Sequence, residues 1–295
     1  MPILKKANWR VQYEWSASSG LRIGVCEYQG IRVIHNASVP FVYVNYEGGS
    51  SGPFTDELRS KTRKLEIRDI MFGFDLKVTY DLYGPDYQYD HVWRFHQDGQ
   101  FGSAIVIQGP GEEIEGHHTY HLPFRFDLDI SGAAGDSFQI RSSDGDWHDV
   151  FAEGRFTPAK PSSNDEAWRV VDKKSGRSAS IRPRVRDNAE LWALKYKAIE
   201  SWGSWGSAGA GVPGTPGSVP AVYDNNQSVQ NSDIVVWYIA HIPSIERVTA
   251  CGPWFTLSGY PPAVLDPGEH DHGHGHGGEE DEHGHGHDDE DDHDH

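Results

Sequence analysis

From Tyr87 to Phe101 the chain reads YQYDHVWRFHQDGQF. Alternate residues of an extended strand share a face, so Tyr87, Tyr89, His91, Trp93 and Phe95 fall on one side. Gln88, Asp90, Val92 and Arg94 fall on the other. This period of two reads as a strand, not a helix. Gln97-Asp98-Gly99 supplies the turn that follows.

The same texture extends in both directions. Upstream, Gly20 to His35 (GLRIGVCEYQGIRVIH) reads as a meander of short strands with glycine turns. Downstream, His117 to Gly132 (HHTYHLPFRFDLDISG) and Asp233 to Glu246 (DIVVWYIAHIPSIE) are two more histidine-bearing strands. Further strands are expected near residues 76–82, 103–107, 137–141, 168–171 and 191–198, a spacing that fits a sandwich. The charged run Asp56 to Lys64 reads as a short helix or exposed turn, and the Gly/Ser/Ala/Pro-rich stretch from Ser201 to Pro220 as a mobile flap. The fold class expected is all-β, a large antiparallel β-sandwich over residues 1–268, with a disordered tail over 269–295.

Composition agrees with this architecture and narrows the function. The 295 residues include 10 Trp, 13 Tyr, 12 Phe and 33 Gly, which suits many strands joined by tight turns. The net charge of -18 is concentrated in the tail, which holds 12 of the 44 acidic residues, 9 of the 17 histidines and no Lys or Arg. The body sets 32 acidic against 26 basic residues without a basic run, so it offers no footprint for nucleic acid. Metal ions and small cations are the better electrostatic match. MPILKKANWR has no apolar run behind its basic residues, so neither a secretory signal nor a membrane span is expected. The location expected is cytoplasmic, or extracytoplasmic if a leader has been removed. Cys26 and Cys251 are the two cysteines, and sequence does not decide whether they pair.

The tail alternates imidazole and carboxylate donors on a glycine-rich backbone, a mixture able to capture Cu(II), Ni(II) or Zn(II). Within the body, two histidines separated by one residue on a strand can face one ion. His118 and Tyr120 stand in that relation, while His117 shares the face of His121. His121 joins the first pair only if a bulge turns it inward.

In order and spacing the three segments resemble the catalytic domain of the copper-containing amine oxidases. Trp93 and Gln97-Asp98-Gly99 match the family's cofactor strand. Counting back from Trp93 puts the precursor of a topaquinone cofactor on Tyr87, and a slip of two residues puts it on Tyr89 within Gln88-Tyr89-Asp90. Aligned on Arg125-Phe126-Asp127, the family's His-x-His falls on His118 and Tyr120. Asp233-Ile-Val-Val-Trp-Tyr with His241-Ile-Pro resembles the closing strand that carries the third copper ligand, here three residues nearer. His91 is the imidazole available to replace the one lost at Tyr120. Asp56, in Phe54-Thr55-Asp56-Glu57, is the counterpart of the catalytic base. Trp9, Gly20-Leu21 through Tyr28-x-Gly30, and Asn226-Gln227-Ser228 extend the match over most of the body.

The resemblance implies oxidation of a primary amine to an aldehyde, with dioxygen reduced to hydrogen peroxide, by copper and topaquinone in a homodimer. Two other readings use the same residues. One is a non-catalytic copper-binding or copper-delivery protein. The other is a copper oxidase that uses an unmodified tyrosine.

Overall fold

The computed structural model describes residues 1–16, 20–46, 54–58, 64–81, 88–108, 118–160, 165–198, 218–243 and 248–262, without the side chains of 16, 57, 218, 219, 248 and 249. The tail, residues 201–217 of the flap expected over Ser201–Pro220, Tyr87, His117 and Glu246 lie outside these residues, and the flap's end enters a short helix, Ser218–Ala221. Among them the strands form two ten-stranded antiparallel sheets.

The first sheet runs in the order β1 (Ile3–Lys6), β2 (Trp9–Ser16), β3 (Gly20–Tyr28), β4 (Ile31–Ser38), β11 (His118–Leu128), β18 (Ile234–Pro243), β17 (Glu190–Lys195), β14 (Gly154–Phe156). Beside the lower half of β11 lies β5 (Phe41–Tyr46), extended by β6 (Phe54–Glu57). The second runs β13 (Trp147–Asp149), β12 (Asp136–Arg141), β15 (Trp168–Asp172), β16 (Arg177–Arg182), β20 (Trp254–Ser258), β10 (Gln100–Gln108), β9 (Gln88–His96), β8 (Gly73–Asp81), β7 (Glu66–Ile70), with β19 (Val248–Cys251) also paired to β10.

Alternation along the strands places the core. On β9, Tyr89, His91, Trp93 and Phe95 are all fully buried. The opposite side of β9 is a charged and polar surface, where Asp90 pairs with Lys77 and Arg94 makes a two-pronged contact with Asp75. On β11 the inward residues are His118, Tyr120, Leu122, Phe124 and Phe126. The sheets meet through rings such as Trp93 on Phe126, Phe126 on Phe255 and Trp9 on Phe95, with centroids 4.6–5.6 Å apart. The outer side of the first sheet carries a second apolar cluster of Phe41, Trp192, Leu194, Val235, Trp237 and Ile239, against which Tyr43, Tyr196 and Tyr223 pack.

One sequence expectation changes here, and one open question is answered. Residues 54–57 form a strand, not a helix or turn, because pairing with β5 holds their backbone extended. That pairing sets Asp56 opposite Val42 and buries its side chain. Cys26 and Cys251 are both buried and free.

Gly252 links β19 to β20 at a point where no side chain fits. Its φ is +128°, and an added Cβ would stand 2.3 Å from the Ser103 carbonyl oxygen and 2.8 Å from the Phe124 ring. Gly252→Ala is therefore expected to destabilise the fold by about 2–3 kcal/mol, read from the midpoint of urea unfolding. A loss below about 0.5 kcal/mol would show that this crossing yields freely.

Candidate functional site

Three groups of polar residues converge, two on the outer face of the first sheet and one inside the sandwich. The interior group centres on Tyr89, whose hydroxyl donates to Asp56 Oδ2 at 2.6 Å across the gap between the sheets. Burial raises the Asp56 carboxyl above the ordinary aspartate range, and the Tyr89 hydrogen bond opposes that shift. Two strands on from Asp56, His118 stacks on Tyr46 and meets the edge of Tyr120, with centroids 5.2 and 4.9 Å apart. His91 shares the face of Tyr89, and its Nε2 lies 3.1 Å from Ser103 Oγ. Burial pushes the His91 pKa down to about 3, so the imidazole is neutral at ordinary pH.

The outer-face groups sit at the two ends of the β11–β18 pair. At one end, carboxylate oxygens of Asp127, Asp129 and Asp233 all lie within 4.8 Å of one another. Asn36 Nδ2 donates to Asp127 at 3.0 Å, Arg32 pairs with Asp129 at 3.1 Å, and Arg125 donates to Asn36 Oδ1 with its guanidinium 3.8 Å from Asp127. Burial, followed by the charge on Asp129, raises Asp233 to about 6. Nearby, buried Asp136 is raised to about 8, chiefly by desolvation.

At the other end, register places Tyr43, His121 and His241 in one row across β5, β11 and β18. His121 Nδ1 and His241 Nδ1 are 2.6 Å apart. His241 Nε2 lies 3.6 Å from Glu190 Oε2, and Arg155 pairs with the same carboxylate. The His121 pKa falls to about 4 through burial and then through its neighbour His241, with Glu190 opposing. Glu190 sits below the ordinary range: burial raises it, but His241 and Arg155 outweigh that effect.

This geometry corrects the ligand set implied by the sequence. His118 and Tyr120 point into the sandwich, whereas His241 points out beside His121, so the sheet itself separates His118 from His241. The β11 register runs without a shift from His118 to His121, and no bulge turns His121 inward. Among the described residues, the acidic trio is the one group of three His, Cys, Asp or Glu donors close enough to hold an ion. Among the described residues, His118 and His241 therefore do not fit a shared copper ion, while Tyr87, the first position expected for the topaquinone precursor, lies outside them. The structure does bring Tyr89 and Asp56 together and leaves His91 beside Ser103. Sequence reasoning missed Glu190, Asp129 and Asp233; an acid beginning an otherwise apolar strand, and alternating acids at Asp127 and Asp129, were the available signals.

No protein-family model and no curated protein sequence matches the chain. Solved structures do resemble it. The copper-containing benzylamine oxidase from Hansenula polymorpha superposes with a TM-score of 0.60 at 12% identity, covering 87% of this chain and 59% of that one. The Aspergillus nidulans amine oxidase gives 0.62 at 14%, covering 86% and 51%, and the Pichia pastoris lysyl oxidase gives 0.59 at 13%, covering 88% and 52%. The chain thus spans between half and three-fifths of their lengths, and the likeness establishes an amine-oxidase-like β-sandwich fold.

Proposed function

We propose that this chain is a metal-binding protein on an amine-oxidase-like sandwich, working without a quinone cofactor. The observation that carries this reading is the separation of His118 from His241 by the sheet. Donor groups gather instead on the outer face, as three carboxylates suited to a hard cation and as an imidazole pair suited to copper, zinc or nickel. The nine histidines of 269–295 supply further donors of the second kind. In this reading copper is bound and passed on rather than used in turnover. A homodimer is carried over only by analogy with the solved oxidases.

The test is direct: metal-free protein is incubated with Cu(II) in air, stained for quinone and assayed for peroxide with benzylamine. Copper retention without stain or peroxide is expected. A positive stain would support the second reading, an amine oxidase, which the buried Tyr89–Asp56 contact favours. In that reading Asp56 is the proton acceptor and Tyr89 the residue modified, and Tyr89→Phe would abolish the stain. Peroxide without stain, lost in Tyr89→Phe, would instead mark an oxidase using unmodified tyrosine.

A further inference from the structure

We propose that His121 and His241 form a site for a borderline divalent transition ion, zinc, nickel or Cu(II), on the outer face of the first sheet. The proposal rests on the metal-binding reading and assigns one of its sites. It differs in place from the interior centre that the resemblance implies, since both rings lie on the far side of β11 and β18 from His118 and Tyr120.

The argument starts from register. His121 and His241 are directly opposite on antiparallel strands, the arrangement that brings cross-strand side chains closest. Their rings are nearly perpendicular, at 77°, with centroids 4.9 Å apart and Nδ1 facing Nδ1 at 2.6 Å. Two neutral imidazole nitrogens that face one another at this distance either share one ring's N–H in a hydrogen bond or ligate a common metal ion. Glu190 decides which nitrogen of His241 is free. Its carboxylate faces Nε2, so the ring proton belongs there and the Nδ1 lone pair points at His121.

This is the arrangement in which a carboxylate orients a histidine that ligates a metal through its other nitrogen. Glu190 is itself held by Arg155 and by Trp192 Nε1 at 3.3 Å, so it acts as a positioning residue and not as a ligand. The next row on the same face is Pro123 opposite Ile239, an apolar pair beside the two histidines. Both histidines are only half-buried, which leaves solvent access for the ion and for water as the remaining ligands. Two neutral imidazoles with water select borderline ions over calcium and magnesium, which take oxygen ligands. A bound ion takes the place of that hydrogen bond, and the His121 ring proton then sits on Nε2, leaving both rings neutral.

Thermal unfolding of the full chain with and without Zn(II) tests the site, because only an ion that prefers the folded state moves the midpoint. Donors in 269–295 that bind alike before and after the sandwich unfolds leave it unchanged. At about 100-fold excess over its dissociation constant, zinc is expected to raise the midpoint by about 5 °C. His121→Asn and His241→Asn are each expected to abolish that rise, while the response to Ca(II) stays as in the unsubstituted protein. Should either variant fail to fold, Glu190→Gln leaves both ring nitrogens in place. It is expected to raise the zinc concentration for half the shift by about 10-fold or more. The site is refuted by a missing zinc shift, by a shift that survives in both histidine variants, or by an unchanged titration in Glu190→Gln. Zinc held in equilibrium dialysis with no midpoint shift removes this site and spares the metal-binding reading; no zinc held removes both.

Discussion

Replacing Arg125 with methionine is expected to lower the stability of the sandwich by about 3–5 kcal/mol, the usual loss when one partner of a buried ion pair is removed. Arg125 has no exposed surface and lies on the outer side of β11, donating to Asn36 and facing Asp127. Asp127 and Asp129 are each about 1% exposed, and their oxygens share a small volume with Asp233. Arg125 also acts on Asp233, lowering a pKa that burial and Asp129 raise. Methionine fills much of the same space but leaves these acids without the guanidinium. Urea unfolding would show the effect as a lower midpoint with an unchanged slope. A loss under about 1 kcal/mol would mean that Arg32 and Asn36 suffice to hold the acids.

The second large effect is acid sensitivity at His91. An unfolded histidine takes up its proton near about pH 6.5, whereas His91 in the fold resists until about 3 because burial excludes the charged ring. Between those values the unfolded chain binds more protons, so this contribution is whole above about pH 6.5 and is lost as pH falls towards 3. Its slope is about 1.4 kcal/mol per pH unit, or about 3 kcal/mol between pH 6.5 and 4. Asp187 and Asp233, raised to about 6, and Asp136, raised to about 8, act with the opposite sign, so a single pH curve mixes the terms. The difference between the unsubstituted protein and His91→Gln isolates one of them. That difference is expected to be flat above pH 6.5 and to shrink steadily below it; a difference flat down to pH 4 would show that His91 titrates normally in the fold.

Much of the fold was legible because burial in a sandwich writes itself into alternation. The alternation from Tyr89 to Phe95 and the shared face of His118 and Tyr120 gave the correct strands and the correct faces. The candidate site was legible only in part, because which residues meet depends on register between strands far apart in sequence. His241 is three residues nearer its Trp-Tyr than the resemblance expects, and an odd number reverses the side on which a strand residue points. That reversal took His241 away from His118 and set it against His121. Asp56 was read as part of a short helix or exposed turn because the acidic and basic residues after it dominate the local composition; its pairing with β5 and its contact with Tyr89 are tertiary facts.

The order of strands also bears on how the protein comes into being. The middle of the first sheet is made by β4, β11 and β18, drawn from residues 31–38, 118–128 and 234–243, and in the second β20 sits between β16 and β10. A nascent chain on the ribosome therefore carries β4 and β11 with open edges until the strand that closes them has been translated. Contacts this distant in sequence make for slow maturation and prolonged exposure to aggregation. Chains interrupted before about residue 234 lack β18 and so leave one edge of β11 unpaired in the first sheet.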